Sequence, residues 1–298
     1  MTKRRKTDHL ITERNNPRTS HLDECSTLNI IELISEEDKK VAEAVAKAKG
    51  NIARAVDLIV DRLGKGGRLF LIGAGTSGRL GVMEAAECPP TFGTHPHMIE
   101  GIIAGGKKAL WRSIEGAEDS GVDAQKMLAK LKLNKEDVVV GIAASAATPF
   151  VEGGLSYAKT RGTGRVLVTC NPVNSSIVDV TISLLVGPEI ITGSTRMKAG
   201  TATKMVLNML TTASMVCLGK TYGNLMVEVR PNSQKLKDRA VRIAVQILGI
   251  GSRKAESLLV RSNWDIKAAV VMERKKMNYK QAKELLIACK GFLREALK

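Results

Sequence analysis

The sequence predicts an α/β protein in which helices flank a five-stranded parallel sheet and a small all-helical bundle follows. Five short runs rich in Val, Ile and Leu alternate with helical patterns between residues 68 and 187. Consecutive strand–helix units of this kind form parallel sheets with right-handed crossovers. After residue 234 only amphipathic helical patterns remain. We therefore predict an N-terminal tail with helices (1–50), a sheet domain (51–234) and a helical bundle (235–298).

The chain before the sheet is predicted to be helical, except for its first residues. We expect those residues to be ordered only if they pack against another surface. Residues 1–16 are charged and lack the apolar core of a signal peptide. Serines precede two helical patterns, so we predict helix starts at Ser26 and Ser35. An amphipathic helix then ends at Gly64.

Five buried-strand patterns follow, separated mostly by helical ones. Ligands of parallel sheets bind at the carboxyl ends of the strands, so the loops after the strands are the places to search. A long, mostly buried helix is predicted over 195–219, and short helices with N-caps at Ser252 and Asn278 over 235–298. The strands are predicted within 68–75, 98–106, 137–145, 165–171 and 180–187.

Composition narrows the possible partners and the compartment. The net charge of +16 favours an anionic partner, although a generally basic surface gives the same value. Aromatic residues are not interleaved with the basic ones, which argues against nucleic-acid binding. No apolar run is long enough to span a membrane. The five cysteines are scattered without zinc-site spacing, so we expect reduced thiols, no metal and a cytoplasmic protein.

The first loop, residues 73–80 (GAGTSGRL), leads from a strand into a helix and contains Thr76 and Ser77. A helix N-terminus offers free N–H groups and the positive end of a dipole, which suits a phosphate. The glycine spacing matches neither a Rossmann fingerprint nor a Walker A loop. The alternative is that one of the two hydroxyls only caps the helix.

Two further segments repeat this combination of hydroxyl groups and a helix start. The second loop, residues 143–150, contains Ser145 and Thr148, and Pro149 fits the first turn of the next helix. Two such loops in one sheet favour a sugar-phosphate site. The third segment, residues 191–210, could instead be a capped helix with a solvated basic turn. Its candidate ligands are Ser194, Thr195, Arg196 and Lys198.

Four carboxylates lie near these loops. Glu84 and Glu87 precede Pro89 and Pro90, which are expected to end the helix, and Glu115 and Glu118 lie in SIEGAEDSG. Each has an ordinary explanation as a residue of a helix surface or an acidic helix start. A phosphate-binding cleft has little use for carboxylates as ligands, so acidic groups there would serve proton transfer.

Several motifs together resemble the N-acetylmuramic acid 6-phosphate etherases. The resemblance covers nearly the whole chain after about residue 10. It is specific, because SGRLG followed by ECPPT, and GSTRMKAGTA, are not generic phosphate loops. The motifs are GAGTSGRLGVMEAAECPPTFG, EGAEDS, VVVGIAAS and LVGPEIITGSTRMKAGTATKMVLNML followed by GKTYGNLMVEV.

The resemblance implies a sugar-isomerase (SIS) domain with a C-terminal bundle of the ubiquitin-associated type. It implies cleavage of the D-lactyl ether of N-acetylmuramic acid 6-phosphate, in the recycling of cell-wall sugars, without metal or redox cofactor. The family's two catalytic glutamates correspond to Glu87 and Glu118. By resemblance Glu87 donates a proton to the departing lactate, and Glu118 is assigned as the base at C2. Glu84 is assigned no role beyond helix surface or packing.

Two features of the sequence complicate this assignment. These enzymes commonly have Ser-Gly-Arg-Thr-Pro where this chain has Ser145, Ala146, Ala147, Thr148 and Pro149. Arg79, Arg196 or Lys198 could replace the missing arginine. In a straight helix, a rise of about 1.5 Å per residue would place Glu87 roughly 15 Å beyond Ser77. Either the helix breaks or bends before Glu87, or Glu87 serves a site completed by a partner subunit in a homodimer.

Three other classes of protein share parts of this pattern. The glucokinase regulatory protein resembles the etherases but binds sugar phosphates without catalysis, and it has two such domains. SIS-containing transcription regulators usually begin with a helix-turn-helix domain. Phosphosugar isomerases use the same fold without the ECPPT element. We therefore predict an etherase that binds a sugar phosphate, with a non-catalytic regulator as the alternative.

Overall fold

The computed structural model describes residues 10–145, 147–173, 175–229, 231 and 233–298. Contacts within the chain divide it into two compact units. The first contains the described residues up to Ala86 together with His97–Thr211, and the second contains Glu87–Pro96 and Thr212–Lys298. The predicted boundary at residue 234 separates parts of the chain that are expected to fold independently. It stays a prediction.

A parallel sheet with the strand order β2-β1-β3-β4-β5 forms the centre of the first unit. Every residue of β1 and β3 is buried, because helices cover both faces of such a sheet. The prediction of a five-stranded parallel sheet is confirmed within the described residues. The strands are β1 (Leu69–Gly73), β2 (Ile99–Ile103), β3 (Val138–Ile142), β4 (Gly164–Thr169) and β5 (Val180–Ser183).

Helices of the first unit pack on this sheet through aliphatic side chains and two phenylalanines. Phe70 of β1 and Phe150 of α5 are fully buried in one cluster with leucines of α4 and α5. Helices α3 and α6 continue into the second unit. The helices that lie wholly or partly in the first unit are α1 (Thr27–Lys47), α2 (Lys49–Gly64), α3 (Gly75–Phe92), α4 (Gly121–Lys130), α5 (Pro149–Thr160) and α6 (Lys198–Cys217).

Two predicted helix boundaries are wrong. Ser26 caps α1 by accepting a hydrogen bond from Asn29 N at 3.3 Å, but α1 continues through Ser35 without a new start. Helix α3 continues through Pro89 and Pro90 to Phe92. The prolines fall in its last turn, where few further backbone hydrogen bonds remain to be lost. The predicted break of the helix before Glu87 is therefore wrong, whereas a bend of α3 before Glu87 stays a prediction.

The second unit contains a bundle of short helices around its own core of Ala, Val, Ile and Leu side chains. Asn278 caps α10 in a capping box with Gln281, as predicted, whereas Gly251 and not Ser252 is the N-cap of α8. The likeness to a ubiquitin-associated fold stays a prediction. The helices are α7 (Gln234–Leu248), α8 (Ser252–Arg261), α9 (Ile266–Lys275), α10 (Tyr279–Ala288) and α11 (Leu293–Ala296).

Candidate active site

The strand order locates the crevice of the sheet. Strands β1 and β3 are neighbours, and Gly73 at the end of β1 pairs with Ile142 at the end of β3. The chain winds outward in opposite directions from this pair, which makes it the topological switch point where ligands of such sheets bind. The first and second loops therefore leave the sheet side by side.

The first loop presents an open helix N-terminus. Helix α3 begins at Gly75, whose φ of +52° suits a glycine. Thr76 and Ser77 are half-buried in the first turn rather than at the N-cap position. Their N–H groups precede that of Gly78, which donates to Ala74 O at 3.2 Å, so they have no acceptor within the helix. The alternative in which either residue is the N-cap is therefore wrong.

The second loop leads into α5 in the predicted way. Pro149 is the first residue of α5, and Thr148 occupies the N-cap position without a side-chain capping bond. The Ser145 hydroxyl accepts a hydrogen bond from Ala147 N at 3.3 Å. A pocket of about 320 Å³ lies beside Thr148, between α5 and the residues after β4. Ala146 lies outside the described residues.

The third segment approaches the first loop, but its two candidate cations differ in exposure: Arg196 is exposed and Lys198 is buried. Helix α6 begins at Lys198, so Ser194, Thr195 and Arg196 precede it. A Cβ added at Gly200 of α6 would lie 3.5 Å from Thr76 Cγ2. Ser194 and Thr195 are half-buried and Arg196 is exposed. The hydroxyl groups and one cation of this segment thus remain near the carboxyl edge of the sheet.

The Lys198 side chain forms a buried ion pair. Its Nζ lies 2.5 Å from Glu37 Oε2, and each side chain is at most 2% exposed. Burial alone opposes ionisation of Glu37, but hydrogen bonds from Lys198 and Lys40 bring its pKa below the usual value. The ammonium group of Lys198 is thereby paired with Glu37. Its role as a substrate ligand stays a prediction.

A second carboxylate closes the N-terminus of α6. Glu189 is fully buried and accepts hydrogen bonds from Lys198 N at 3.1 Å and Ala199 N at 2.9 Å. Burial raises its pKa, although these backbone bonds oppose the change. Burial, with a contribution from Glu189, also raises the pKa of the Cys170 thiol to about 12. Cys170 is therefore a packed thiol rather than a nucleophile.

Glu118 lies next to the open end of α3. A pocket of about 110 Å³ is lined by Gly75, Arg79 and residues 113–118, which include Glu118. Arg79 holds this wall in place, because its guanidinium donates to Leu110 O and Arg112 O, each at 3.2 Å. These bonds make Arg79 a support of the wall rather than a free replacement for the missing arginine. Glu118 itself is exposed.

Glu84 and Glu87 have different surroundings on α3. Glu84 is buried, and its carboxylate accepts hydrogen bonds from Asn208 Nδ2 and Thr211 Oγ1, each at 2.5 Å. It therefore contributes to helix packing, one of the two roles left open for it. Glu87, one turn later, is exposed and belongs to the second unit.

Sequence reasoning missed three polar residues that organise the site. They are Glu37, Glu189 and Asn171, all buried. Asn171 could have been suspected, since it is the last residue of the strand predicted within 165–171 and lies at the ligand-binding end of that strand. Glu37 lies inside a helix, and nothing in the local pattern distinguishes it from its exposed neighbour Glu36.

Comparisons with known proteins agree with this arrangement. Residues 51–159 match the family model described as the glucokinase regulatory protein N-terminal SIS domain. A protein of Clostridium botulinum (strain Langeland) named N-acetylmuramic acid 6-phosphate etherase is 49% identical over 98% of this chain and 97% of its own length. A Rhodopirellula baltica protein of the same name is 48% identical over 97% of each chain. This chain belongs to the N-acetylmuramic acid 6-phosphate etherase family. Among solved structures, c3406 of E. coli CFT073 has a TM-score of 0.49 and 19% identity over 67% of this chain and 97% of that chain.

In the second loop, this chain has Ala147 where the etherase motif commonly has an arginine. Ala147 is exposed beside the half-buried Thr148. Of the three cations considered as replacements, Lys198 pairs with Glu37 and Arg79 binds backbone carbonyls. Arg196 is exposed and forms no ion pair with any described residue. Of these three cations, Arg196 is therefore the one whose charge has no partner among the described residues.

Among the described residues, no three His, Cys, Asp or Glu side chains are grouped so that they could hold a metal ion. No helix in the described part of the chain combines the length and apolar character needed to cross a bilayer.

Proposed function

We propose that this protein is a carbon–oxygen lyase that cleaves the D-lactyl ether of N-acetylmuramic acid 6-phosphate. The products are N-acetylglucosamine 6-phosphate and D-lactate, and the reaction serves the recycling of cell-wall sugars. The observation that carries the proposal is the 49% identity to a named etherase over 98% of the chain. The sugar-phosphate crevice between β1 and β3 supports it independently.

The substrate would bind with its phosphate near the open helix N-termini and the hydroxyl groups around them. Helix dipoles and free N–H groups favour an anion there. Exposed Arg196 adds a positive charge, whereas Lys198 supports the site through Glu37. The hydroxyl groups assigned to the substrate are those of Thr76, Ser77, Ser145, Thr148, Ser194 and Thr195.

The two proposed catalytic glutamates divide the proton transfers of an elimination followed by a hydration. Opening of the sugar ring produces an aldehyde at C1, which makes the C2 proton acidic. Glu118 removes that proton while Glu87 protonates the ether oxygen, and lactate leaves C3. Water then adds across the resulting C2–C3 double bond, giving a hydroxyl at C3 and a new proton at C2. Each carboxyl group acts as a general acid or base.

The experiment is a lactate assay with the purified full chain. Incubation with N-acetylmuramic acid 6-phosphate should release one D-lactate per N-acetylglucosamine 6-phosphate formed. In D₂O the sugar product should carry deuterium at C2. Folded protein that releases no lactate would contradict the proposal, and product without deuterium at C2 would contradict the elimination route.

Variants of the two glutamates test their roles. Glu87→Gln and Glu118→Gln should each reduce turnover by at least 100-fold, the usual scale of lost general acid–base catalysis. Glu115→Gln is a matched control, because Glu115 lines the same pocket as Glu118. Turnover in Glu118→Gln equal to that in Glu115→Gln would remove Glu118 from the mechanism.

A non-catalytic sugar-phosphate regulator is the competing function. It would use the same crevice and would bind the substrate unchanged. The lactate assay separates the two functions. A regulator would be stabilised against unfolding by the bound sugar phosphate, but it would release no lactate. The family match to a regulatory protein covers only residues 51–159, whereas the etherase relatives match nearly the whole chain.

We further propose a homodimer with its active sites near the subunit interface. In the first half of α1, Leu28 and Ile31 are 66% and 57% exposed. A helix with apolar residues on its exposed side usually has a partner. A second copy would cover this face. Sedimentation should give twice the chain mass of 32.1 kDa, and Leu28→Glu with Ile31→Glu should give the monomer.

The same proposal assigns the enzyme to the cytoplasm, where its phosphorylated substrate would be available. The five cysteines support this location, because the structure leaves all of them as free thiols. Fractionation of cells should place the lactate-releasing activity with cytoplasmic markers, and activity in the exported fraction would contradict the assignment.

A further inference from the structure

The N-terminal segment, residues 10–19, has a fixed place although it forms only short 3₁₀ turns. Leu10, Thr12, Asn16 and Thr19 are buried. A terminal segment with so little regular structure is ordered only by contacts with the rest of the protein. Its contacts lead to the second loop and to the third segment.

Asn171 attaches this segment to the second loop. Its Oδ1 accepts a hydrogen bond from Ile11 N at 2.6 Å. Its Nδ2 donates to Thr12 Oγ1 at 3.0 Å and to Ala144 O at 2.9 Å. Since Ala144 directly precedes Ser145, one buried amide contacts both the N-terminal segment and the backbone in front of a proposed substrate ligand. Ala144 O also accepts hydrogen bonds from Cys170 N at 3.0 Å and Thr169 Oγ1 at 3.2 Å.

The other contacts of the N-terminal segment reach the residues just before and within the third segment. Thr19 Oγ1 donates to Ile190 O at 2.9 Å. A Cβ at Gly193 would lie 3.2 Å from Glu13 Oε2, so the Glu13 side chain covers the residue that precedes Ser194. The N-terminal segment therefore connects two loops that lie far apart in the sequence.

We propose that the N-terminal segment completes the sugar-phosphate site by holding the loops of Ser145 and Ser194 in the geometry that binds the substrate. Asn171 and Thr12 are its positioning residues, because they act through the loops. This inference rests on the proposed function. If the substrate binds best when both loops are in place, binding must also stabilise the docked segment, since the coupling between two sites is reciprocal.

Thr12→Val tests the contact between the N-terminal segment and Asn171, because it replaces one hydroxyl group by a methyl group. It removes one of the two acceptors of Asn171 Nδ2, and it leaves the bonds of Asn171 with Ile11 N and Ala144 O intact. Thr163→Val is a matched control. Thr163 is equally buried, donates to Ala158 O at 3.1 Å, and directly precedes β4 at the opposite edge of the sheet.

We expect the KM of Thr12→Val for N-acetylmuramic acid 6-phosphate to be about fivefold above that of Thr163→Val, with kcat within about twofold. Amide hydrogen exchange provides a second measurement, which is made first on the wild-type protein. N-acetylglucosamine 6-phosphate should slow exchange at Ile11 of the wild-type protein about fivefold or more. The same product should slow it less in Thr12→Val than in Thr163→Val.

The outcomes separate this inference from the proposed function. Wild-type protein that releases no lactate contradicts the proposed function. Wild-type protein that releases lactate overturns only the inference if Thr12→Val and Thr163→Val share the same KM. Exchange at Ile11 that the product leaves unchanged in an active wild-type enzyme also overturns it.

Discussion

Replacing Lys198 by methionine removes a buried charge while keeping most of the volume of its side chain. Among the described residues, Glu37 then keeps Lys40 and Arg18, each about half exposed, as ion-pair partners. Removing one member of a buried ion pair typically costs 3–5 kcal/mol. Because two partners remain, we expect the lower end, about 3 kcal/mol in the free energy of unfolding. For a unit of this size, that corresponds to a fall of about 6–12 °C in Tm.

A second substitution distinguishes this structural role from phosphate binding. Glu37→Leu combined with Lys198→Met replaces the pair by apolar groups, and such replacements are often neutral or stabilising. We expect the double variant to regain most of the lost stability. Thermal unfolding followed by circular dichroism measures Tm, and the lactate assay measures KM for the two variants and the wild type.

The two roles predict different KM values for the double variant. If Lys198 only supports the fold, the double variant should have a KM within about twofold of the wild type, since stability and site geometry return together. If Lys198 contacts the phosphate, the loss of a charge-assisted hydrogen bond should raise KM about tenfold or more in both variants. A stable double variant with such a raised KM would refute the structural reasoning.

Three further predictions concern stability. Glu84→Ala should lower the free energy of unfolding in urea by about 1–3 kcal/mol, because half-buried Asn208 loses the acceptor of its amide and buried Thr211 loses one of its acceptors; an unchanged midpoint would contradict this packing role. Asn278→Ala should cost about 1 kcal/mol, and Asn278→Gly only a few tenths. Ionised Glu37, with its lowered pKa, stabilises the fold at pH values above its unfolded pKa of 4.5. This stabilisation should disappear as pH falls through the folded pKa, and the loss of stability should be smaller in Lys198→Met.

The strands could be predicted because burial on both faces leaves a direct trace in the sequence. Val138–Ile142 of β3 is apolar at every position except Gly141, and all five residues are buried. At the edge of the sheet, β5 alternates between buried and half-buried residues. The loops that follow these strands were found for the same reason, since in a parallel sheet their position is set by topology alone.

The pairing of polar side chains could not be predicted in this way. Lys198 and Glu37 are separated by 161 residues, and Asn171 and Thr12 by 159. Periodicity reports neighbours within an element, such as residues three or four apart on a helix. It does not report which distant element supplies a counter-charge. A basic residue beside hydroxyl groups was therefore interpreted as a ligand, although its charge is used inside the protein.

The helix N-termini explain why the crevice between β1 and β3 is the better anion site. Helix α6 already has an acceptor for its first N–H groups, because the Glu189 carboxylate binds Lys198 N and Ala199 N. A phosphate at that end would meet a carboxylate instead of free donors. Helix α3 begins at Gly75, and no hydrogen bond from Thr76 N or Ser77 N to a side chain is seen among the described residues; Thr148 leaves the N-terminus of α5 without a side-chain cap. The positive ends of α3 and α5 thus remain available to a phosphate, and the third segment contributes through Arg196 and its hydroxyl groups instead of its helix dipole.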